Sequence, residues 1–466
     1  MGKAGVIMSA PVGIDAGITA ALGTATVPRR AVLGGAALGT GLLAPRGFRP
    51  AVAGRAPAMA RGPAVSRDPA TYFTDPSLNL QTLFTVGAAG YGAAEYGEFA
   101  TAVASAHREG DSYDGFYRAF RDLGLLAGQF GHEALSRGNR AAARGAFLRA
   151  ASYLANPLYV AIGTSHPGRQ AAAYRAMNDA WVRAAGLLEP AAEPVRIRYG
   201  RTSMPGWLLR PPGAPAGSRR PTIIFCNGND AQNIGLYVYG AAEAAALGYN
   251  ALLFEGPGQG SMLFLRGLGF RPDWEAVITP VVDYLVSRPD VDPHRIALVG
   301  WSQGGALAAR AAAFEHRLAA VVLDPGVSDF MAAFHLPADL VRLARTKPGE
   351  ADRAWAKIFR RLPASVRFSF TKTSYPFRQP TFSALVRALG QYGTADYLPK
   401  ITAPALVTQY QGETAFPGQG GAAERLIRSP ATLHEFTAAA GCQFHCAPMA
   451  PQRRNQVLFD WLDGVL

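Results

Sequence analysis

The run Arg295-Ile-Ala-Leu-Val-Gly-Trp-Ser-Gln-Gly-Gly-Ala306 constrains this chain more than any other stretch. It is apolar up to Val299, breaks at Gly300-Trp301-Ser302-Gln303-Gly304 and passes straight into an Ala-rich segment of helical character. Gly-x-Ser-x-Gly at such a junction reads as a strand turning sharply into a helix, with serine at a strained apex and neighbours small enough for the backbones to pass. That turn needs a sheet beneath it and a helix behind it. It makes Ser302 a candidate nucleophile and puts the first helical N–H groups, beginning with Gln303, where an oxyanion would form. The pentapeptide alone is weak evidence in a chain with 52 glycines, where an ordinary strand-to-helix turn is the competing reading. The strand before it and the helix after it supply the weight.

The rest of the C-terminal part supplies the sheet. Residues 195–199 alternate as a half-buried strand, and 204–210 complete a hairpin with them. Short apolar runs at 222–226, 250–255, 295–299, 319–323, 405–409 and 432–436 then alternate with helical stretches. This pattern predicts an α/β fold with a mostly parallel, doubly covered sheet over residues 193–466. The connection within 326–402 is far longer than an ordinary crossover and carries helical pieces at 337–345 and 350–361. It reads as a lid insertion. Upstream, residues 70–190 form a helical cap region, with amphipathic spacing over 95–127, 132–154 and 169–187. Gly138-Asn139 and Asn156-Pro157 punctuate it as turns or interruptions. Tyr153, Tyr159 and Tyr174 have the spacing to fill helix interfaces, the alternative being that they face a substrate tunnel.

With 466 residues, 49% of them hydrophobic and only 17% charged, the chain can bury a large core and the body is globular. Net charge is +13, but residues 1–61 hold seven Lys or Arg against one Asp, so nearly half of the surplus belongs to the N-terminus. The remaining cations are scattered without interleaved aromatics, which speaks against a nucleic-acid partner. Residues 1–60 contain Arg29-Arg30, a Gly-rich apolar stretch and Ala-x-Ala sites at Ala51 and Ala58, the layout of a twin-arginine export signal. The expected location is therefore periplasmic or extracellular. A disordered leader on a cytoplasmic enzyme is the alternative. The apolar stretch is too short for a spanning helix, so no stable membrane anchor is expected. Cys226, Cys442 and Cys446 are too few for a disulfide framework and read as buried free thiols, a Cys442–Cys446 disulfide being the alternative. Cys442-Gln-Phe-His445-Cys446 lacks the spacing and second ligand pair of a zinc site, so no metal is expected. Gly256-Pro-Gly-Gln-Gly260 lacks the Lys-Ser/Thr ending of a phosphate loop, so no cofactor is expected. It reads as a strand-ending loop, with a place in the lining of the active site left open.

A serine hydroxyl needs a base to take its proton, and the base needs an acid to hold its tautomer. In a chain with this turn the order is Ser, then Asp or Glu, then His. Of the histidines after Ser302, His434 lies inside a strand, whereas His445 falls in the loop between the last strand and the closing helix, where the base belongs. Glu413 is the sole carboxylate in the loop after the penultimate strand. Asp324, at the end of the strand over 319–323, is the alternative acid. The loop after 222–226 reads Asn227-Gly-Asn-Asp230, and Gly228 permits close approach, so the N–H of Asn229 is the second oxyanion donor to set beside Gln303.

Over residues 120–466 the chain resembles the α/β-hydrolase group that includes 2,6-dihydroxypseudooxynicotine hydrolase, fungal polyketide chain-shortening hydrolases and fermentation-respiration-switch-type esterases. The carriers are Ala134-Leu-Ser-Arg-Gly138 with Phe147-Leu-Arg-Ala-Ala-Ser-Tyr153, Asn227-Gly-Asn-Asp230, Phe254-Glu-Gly-Pro-Gly-Gln-Gly260, Val282-Asp-Tyr-Leu285, residues 300–305 and Gly441-Cys-Gln-Phe-His-Cys446. The chain departs from the group in Asn227-Gly-Asn, where two glycines are usual, and in Glu413, where Asp is common. The resemblance implies a helical N-terminal domain closing over a Ser-Asp/Glu-His site. The function expected is a serine hydrolase that cleaves an ester-type acyl bond of a hydrophobic or aromatic small molecule through an acyl-enzyme. Two alternatives within catalysis are a carbon–carbon hydrolase of a polyketide or aryl ketone and an acyl transferase or cyclase. An exported binding protein with an idle triad is the alternative outside it. The partner expected is a small-molecule substrate, and a homodimer is left open.

Overall fold

The computed structural model describes residues 71–215 and 217–466. The paired arginines and the Ala-x-Ala sites lie outside the described residues.

The chain first forms a helical region. Helix α1 (Pro76–Gly87) starts where Asp75 accepts from the backbone N–H groups of Ser77 and Leu78 and Pro76 occupies the first turn, a start set by one capping carboxylate and one residue that needs no N–H partner. Helices α2 (Tyr96–Arg108), α3 (Tyr113–Ser136), α4 (Arg140–Val160) and α5 (Gln170–Ala185) follow. The amphipathic segment read as continuous over 95–127 is two helices. Gly110 and Asp111 both take positive φ, and Ser112 caps α3 by accepting from the N–H of Gly115. The segment 132–154 likewise straddles a turn at residues 137–139, after which Asn139 caps α4. Pro157 sits inside the last turn of α4 rather than ending it.

Among the described residues eight strands form one sheet: β1 (Glu193–Tyr199), β2 (Thr202–Leu209), β3 (Arg220–Cys226), β4 (Asn250–Phe254), β5 (Val291–Trp301), β6 (Ala320–Asp324), β7 (Ala405–Tyr410) and β8 (Ala431–Phe436). Their spatial order is β1-β2-β4-β3-β5-β6-β7-β8. The β1–β2 hairpin pairs antiparallel, as does β2 with β4, and every other pairing is parallel. The fold is thus the α/β architecture expected from the alternation of apolar runs and helical stretches. Strand alternation divides the interior in two. Ile223, Phe225 and Val299 face a core shared with the helical region and with the closing helix, whereas Ile224, Cys226 and Leu298 face the opposite core.

Helix α6 (Glu275–Val286) precedes β5, and α7 (Gln303–Ala312) follows it. Between β6 and β7 the chain inserts α8 (Ala338–Thr346), α9 (Pro348–Phe359), α10 (Ala364–Ser374) and α11 (Phe382–Leu389), and α12 (Pro451–Asp463) closes the fold. Phe330, Phe334, Trp355, Phe370 and Phe377 of the insertion are buried in the second core, and their rings pack at centroid distances such as 4.5 Å between Trp355 and Phe370. Among the described residues no helix is long and apolar enough to cross a membrane.

Candidate active site

All the candidate residues lie at or just beyond the carboxyl ends of parallel strands, the edge at which open α/β sheets bind ligands. Ser302 follows β5, the Asn227 loop follows β3, Glu413 follows β7, and His445 lies between β8 and α12.

Ser302 takes φ 61° and ψ −127°, a conformation that costs a non-glycine residue roughly 1–3 kcal/mol and persists only where the surroundings enforce it. The enforcement is visible. The Ser302 N–H donates to the carbonyl of Asp324 at 2.7 Å, tying the turn to the end of β6. A Cβ on Gly304 would lie 2.5 Å from the carbonyl of Cys226, so a side chain there would push β3 away from the turn.

The Ser302 hydroxyl lies 2.8 Å from Nε2 of His445, and Nδ1 of that ring lies 2.7 Å from Oε2 of Glu413. The other Glu413 oxygen accepts from the N–H of Ala415 at 2.8 Å. This fixes the tautomer: Nδ1–H donates to the carboxylate, leaving Nε2 to accept from the serine. Burial opposes charge on both partners, but their contact outweighs it. Glu413 is held below the usual carboxylate range by His445 and by backbone N–H groups. Burial alone would lower the imidazole, yet the neighbouring Cys446 thiol and Glu413 carboxylate hold it well above its ordinary value. The Cys446 thiol is itself raised by burial and stays neutral near pH 7, so the carboxylate carries the effect.

Asp324 is placed elsewhere. It is fully buried, accepts from Arg454 Nε at 2.6 Å and from the hydroxyls of Thr408 and Tyr410, and so ties α12 to the sheet beneath the turn. Glu413, not Asp324, stands on the imidazole.

Asn229 and Gln303 both line the cavity that Ser302 and His445 open onto. Gln303 is the first residue of α7, and the first N–H groups of a helix have no partner within it. The Asn227 loop is pressed against the turn: a Cβ on Gly228 would lie 2.6 Å from the carbonyl of Trp301 and 2.8 Å from Cβ of Ser302. The glycine-rich loop after β4 does not line the cavity; Gln259 instead donates to the carbonyl of Asn227 at 2.7 Å and so braces the Asn227 loop.

The cavity has a volume of about 760 Å³, and Phe84, Val238, Trp301, Phe330, Val366 and Phe416 are among the apolar residues in its wall. They come from the helical region, the catalytic body and the insertion. Trp301 is fixed by stacking on Tyr239 at 4.9 Å and by the edge of Phe84 at 5.5 Å. Of the three tyrosines singled out by spacing, Tyr159 lines the cavity. Tyr153 is buried against Glu98, and Tyr174 donates to the buried carboxylate of Glu255 at 2.7 Å. His434 packs edge-on against Phe436 within β8, and all three cysteines are buried free thiols. Helix α1, which supplies Leu80 and Phe84 to the wall, escapes a reading based on periodicity; the Asp75-Pro76 start signal is what marks it.

The family model described as "Alpha/beta hydrolase family" matches residues 223–457. The chain is 30% identical over 378 residues to the alpha/beta hydrolase ucsC of Acremonium sp, covering 73% of this chain and 76% of that one. It is 29% identical to the 20-hydroxy-prefusarin hydrolase FUS2 of Gibberella moniliformis, covering 72% and 82%. Among solved structures, a 2,6-dihydroxy-pseudo-oxynicotine hydrolase superposes with a TM-score of 0.62 at 20% identity, covering 82% of this chain and 95% of that one; at that identity the likeness speaks for the fold. The sequence match, the sheet order and the serine turn lead to one conclusion: the chain belongs to the α/β hydrolase family.

Proposed function

We propose that this hydrolase uses Ser302 as nucleophile and cleaves an ester-type acyl bond of a hydrophobic or aromatic small molecule through an acyl-enzyme. The observation that carries the reading is the relay Ser302–His445–Glu413, with contacts of 2.8 and 2.7 Å. His445 Nε2 takes the hydroxyl proton as Ser302 Oγ attacks the carbonyl carbon. Glu413 holds the ring and stabilises the imidazolium. The N–H groups of Asn229 and Gln303 receive the oxyanion, a contribution of about 10²–10³ in rate for each donor. Collapse expels the alkoxide, which recovers the proton from Nε2. Water then enters, activated by the same nitrogen, and releases the acid. The apolar wall suits an acyl or aryl group rather than a folded polypeptide.

The same oxyanion hole serves carbon–carbon cleavage beside a ketone. One feature favours this second reading: His335 lines the cavity and offers a second imidazole to protonate a leaving carbanion. Product analysis with matched substrates tests both. Acid plus alcohol from an aryl ester, absent in Ser302→Ala, supports the first. Acid plus methyl ketone from an aryl β-diketone, with the ester untouched, supports the second. Turnover of either substrate by Ser302→Ala at the wild-type rate overturns the serine mechanism.

A further inference from the structure

Lys372 stands where three parts of the molecule meet. It belongs to α10 of the insertion, its side chain is 12% exposed, and its ammonium donates to Oδ2 of Asp230 at 2.8 Å. The same ammonium lies 4.5 Å from the centre of the Tyr159 ring on α4, within cation–π range. Lys372, Asp230 and Tyr159 all line the cavity.

What Asp230 does with its other oxygen makes the contact matter. Oδ1 accepts from the side-chain amide of Asn229 at 3.2 Å, so an unbroken polar chain runs from the insertion through Asp230 to the residue whose N–H is assigned to the oxyanion. The loop is held at its other end by Gln259 on the carbonyl of Asn227, and pressed on the serine turn by Gly228. Lys372 is thus the insertion's grip on a loop otherwise held from the catalytic body. Helix α10 is itself anchored to the helical region through Phe368, which packs on Tyr113 at 4.3 Å and closely against Gly163. Burial alone would lower the ammonium, but Asp230 and Tyr159 outweigh it and hold it above the ordinary lysine value.

From this geometry we infer that Lys372 is a positioning residue for the oxyanion hole: through Asp230 it fixes the Asn229 loop, so that seating the insertion over the cavity and completing the hole are one event. The inference rests on the serine-hydrolase reading. It assigns the insertion a part in rate as well as in enclosure, because a donor displaced by an ångström loses most of its value to the transition state.

The test is the second-order rate constant for fluorophosphonate labelling of Ser302, read by intact mass, in the full-length protein and in Lys372→Met, Lys372→Arg, Asp230→Asn and the Lys372→Met/Asp230→Asn double variant. The phosphonyl oxygen occupies the oxyanion hole, so the constant reports the hole directly. Lys372→Met and Asp230→Asn should each lower it about 10- to 100-fold, the double variant should be no slower than the worse single variant by more than about threefold, and Lys372→Arg should recover most of the loss. With an ester substrate the loss should fall on kcat rather than KM. Asp230 is 39% exposed, so Asp230→Asn decides the question if Lys372→Met does not fold. Single variants labelled within about twofold of wild type, or losses that multiply in the double variant, overturn the inference. A wild-type protein that is not labelled at all overturns the underlying reading instead, and the two failures are told apart by that control.

Discussion

Replacing Asp324 by Asn tests how the two carboxylates divide their work. The Asp324 and Arg454 side chains are both 0% exposed. Arg454 faces the carboxylate through Nε and Nη2 and uses Nη1 on the Tyr239 carbonyl and the Asn455 side chain, so bulk solvent is not at hand to compensate for a lost charge. Asn keeps the volume and removes the charge. Breaking a buried pair from one side costs about 3–5 kcal/mol. At roughly 2–4 °C per kcal/mol for a domain of this size, the thermal midpoint should fall by about 6–20 °C. Glu413→Gln should do the opposite. The side chain keeps its shape on the imidazole, so the midpoint should move little, while loss of the charge that holds the tautomer should lower kcat about 10⁴-fold. The assay is thermal denaturation at one scan rate beside ester hydrolysis at 25 °C, where the folded Asp324→Asn protein should retain activity. A stable but inactive Asp324→Asn protein, with Glu413→Gln close to wild type, would refute this division of roles.

Three further outcomes follow from the same geometry. Because His445 must be neutral to accept a proton and its imidazole is held above the ordinary value, kcat/KM should rise with pH through a midpoint above about 6.5; an acid limb centred below pH 6 contradicts this. Glu413→Gln removes the charge that favours the imidazolium, so the residual activity should show that limb shifted to lower pH in the same pH–rate measurement. Gly228→Ala should lower kcat/KM about 10²–10³-fold with an unchanged far-UV spectrum, since the methyl group cannot fit between the loop and Trp301 and one oxyanion donor moves with it.

The sheet and the relay were legible in the sequence for a shared reason: each depends on local signals. Apolar runs of four to eight residues mark buried strands, and Gly300-Trp301-Ser302-Gln303-Gly304 fixes a turn that fits only a strand feeding a helix. Once the strands are in order, the loops carrying Glu413 and His445 follow from chain position. The helical region was less legible, because amphipathic spacing continues in phase across Gly110 and Asp111 and hides the break that their backbone conformation makes. Helix α1 lacks a strong stripe and is marked only by its cap. Partners across long separations were not legible at all. Nothing near Lys372 in sequence points to Asp230, 142 residues away, and nothing near Asp324 points to Arg454, 130 residues away. Both pairings exist because the topology returns the insertion and the closing helix to the same sheet edge.

Whether Ser302 is an activated nucleophile is tested most directly by intact mass after exposure to a fluorophosphonate, with Ser302→Ala alongside. The native protein should carry one adduct per chain, Ser302→Ala none, and the protein unfolded beforehand none, since the relay exists only in the fold. An unlabelled native protein, or an adduct of equal yield in Ser302→Ala, would contradict an activated Ser302.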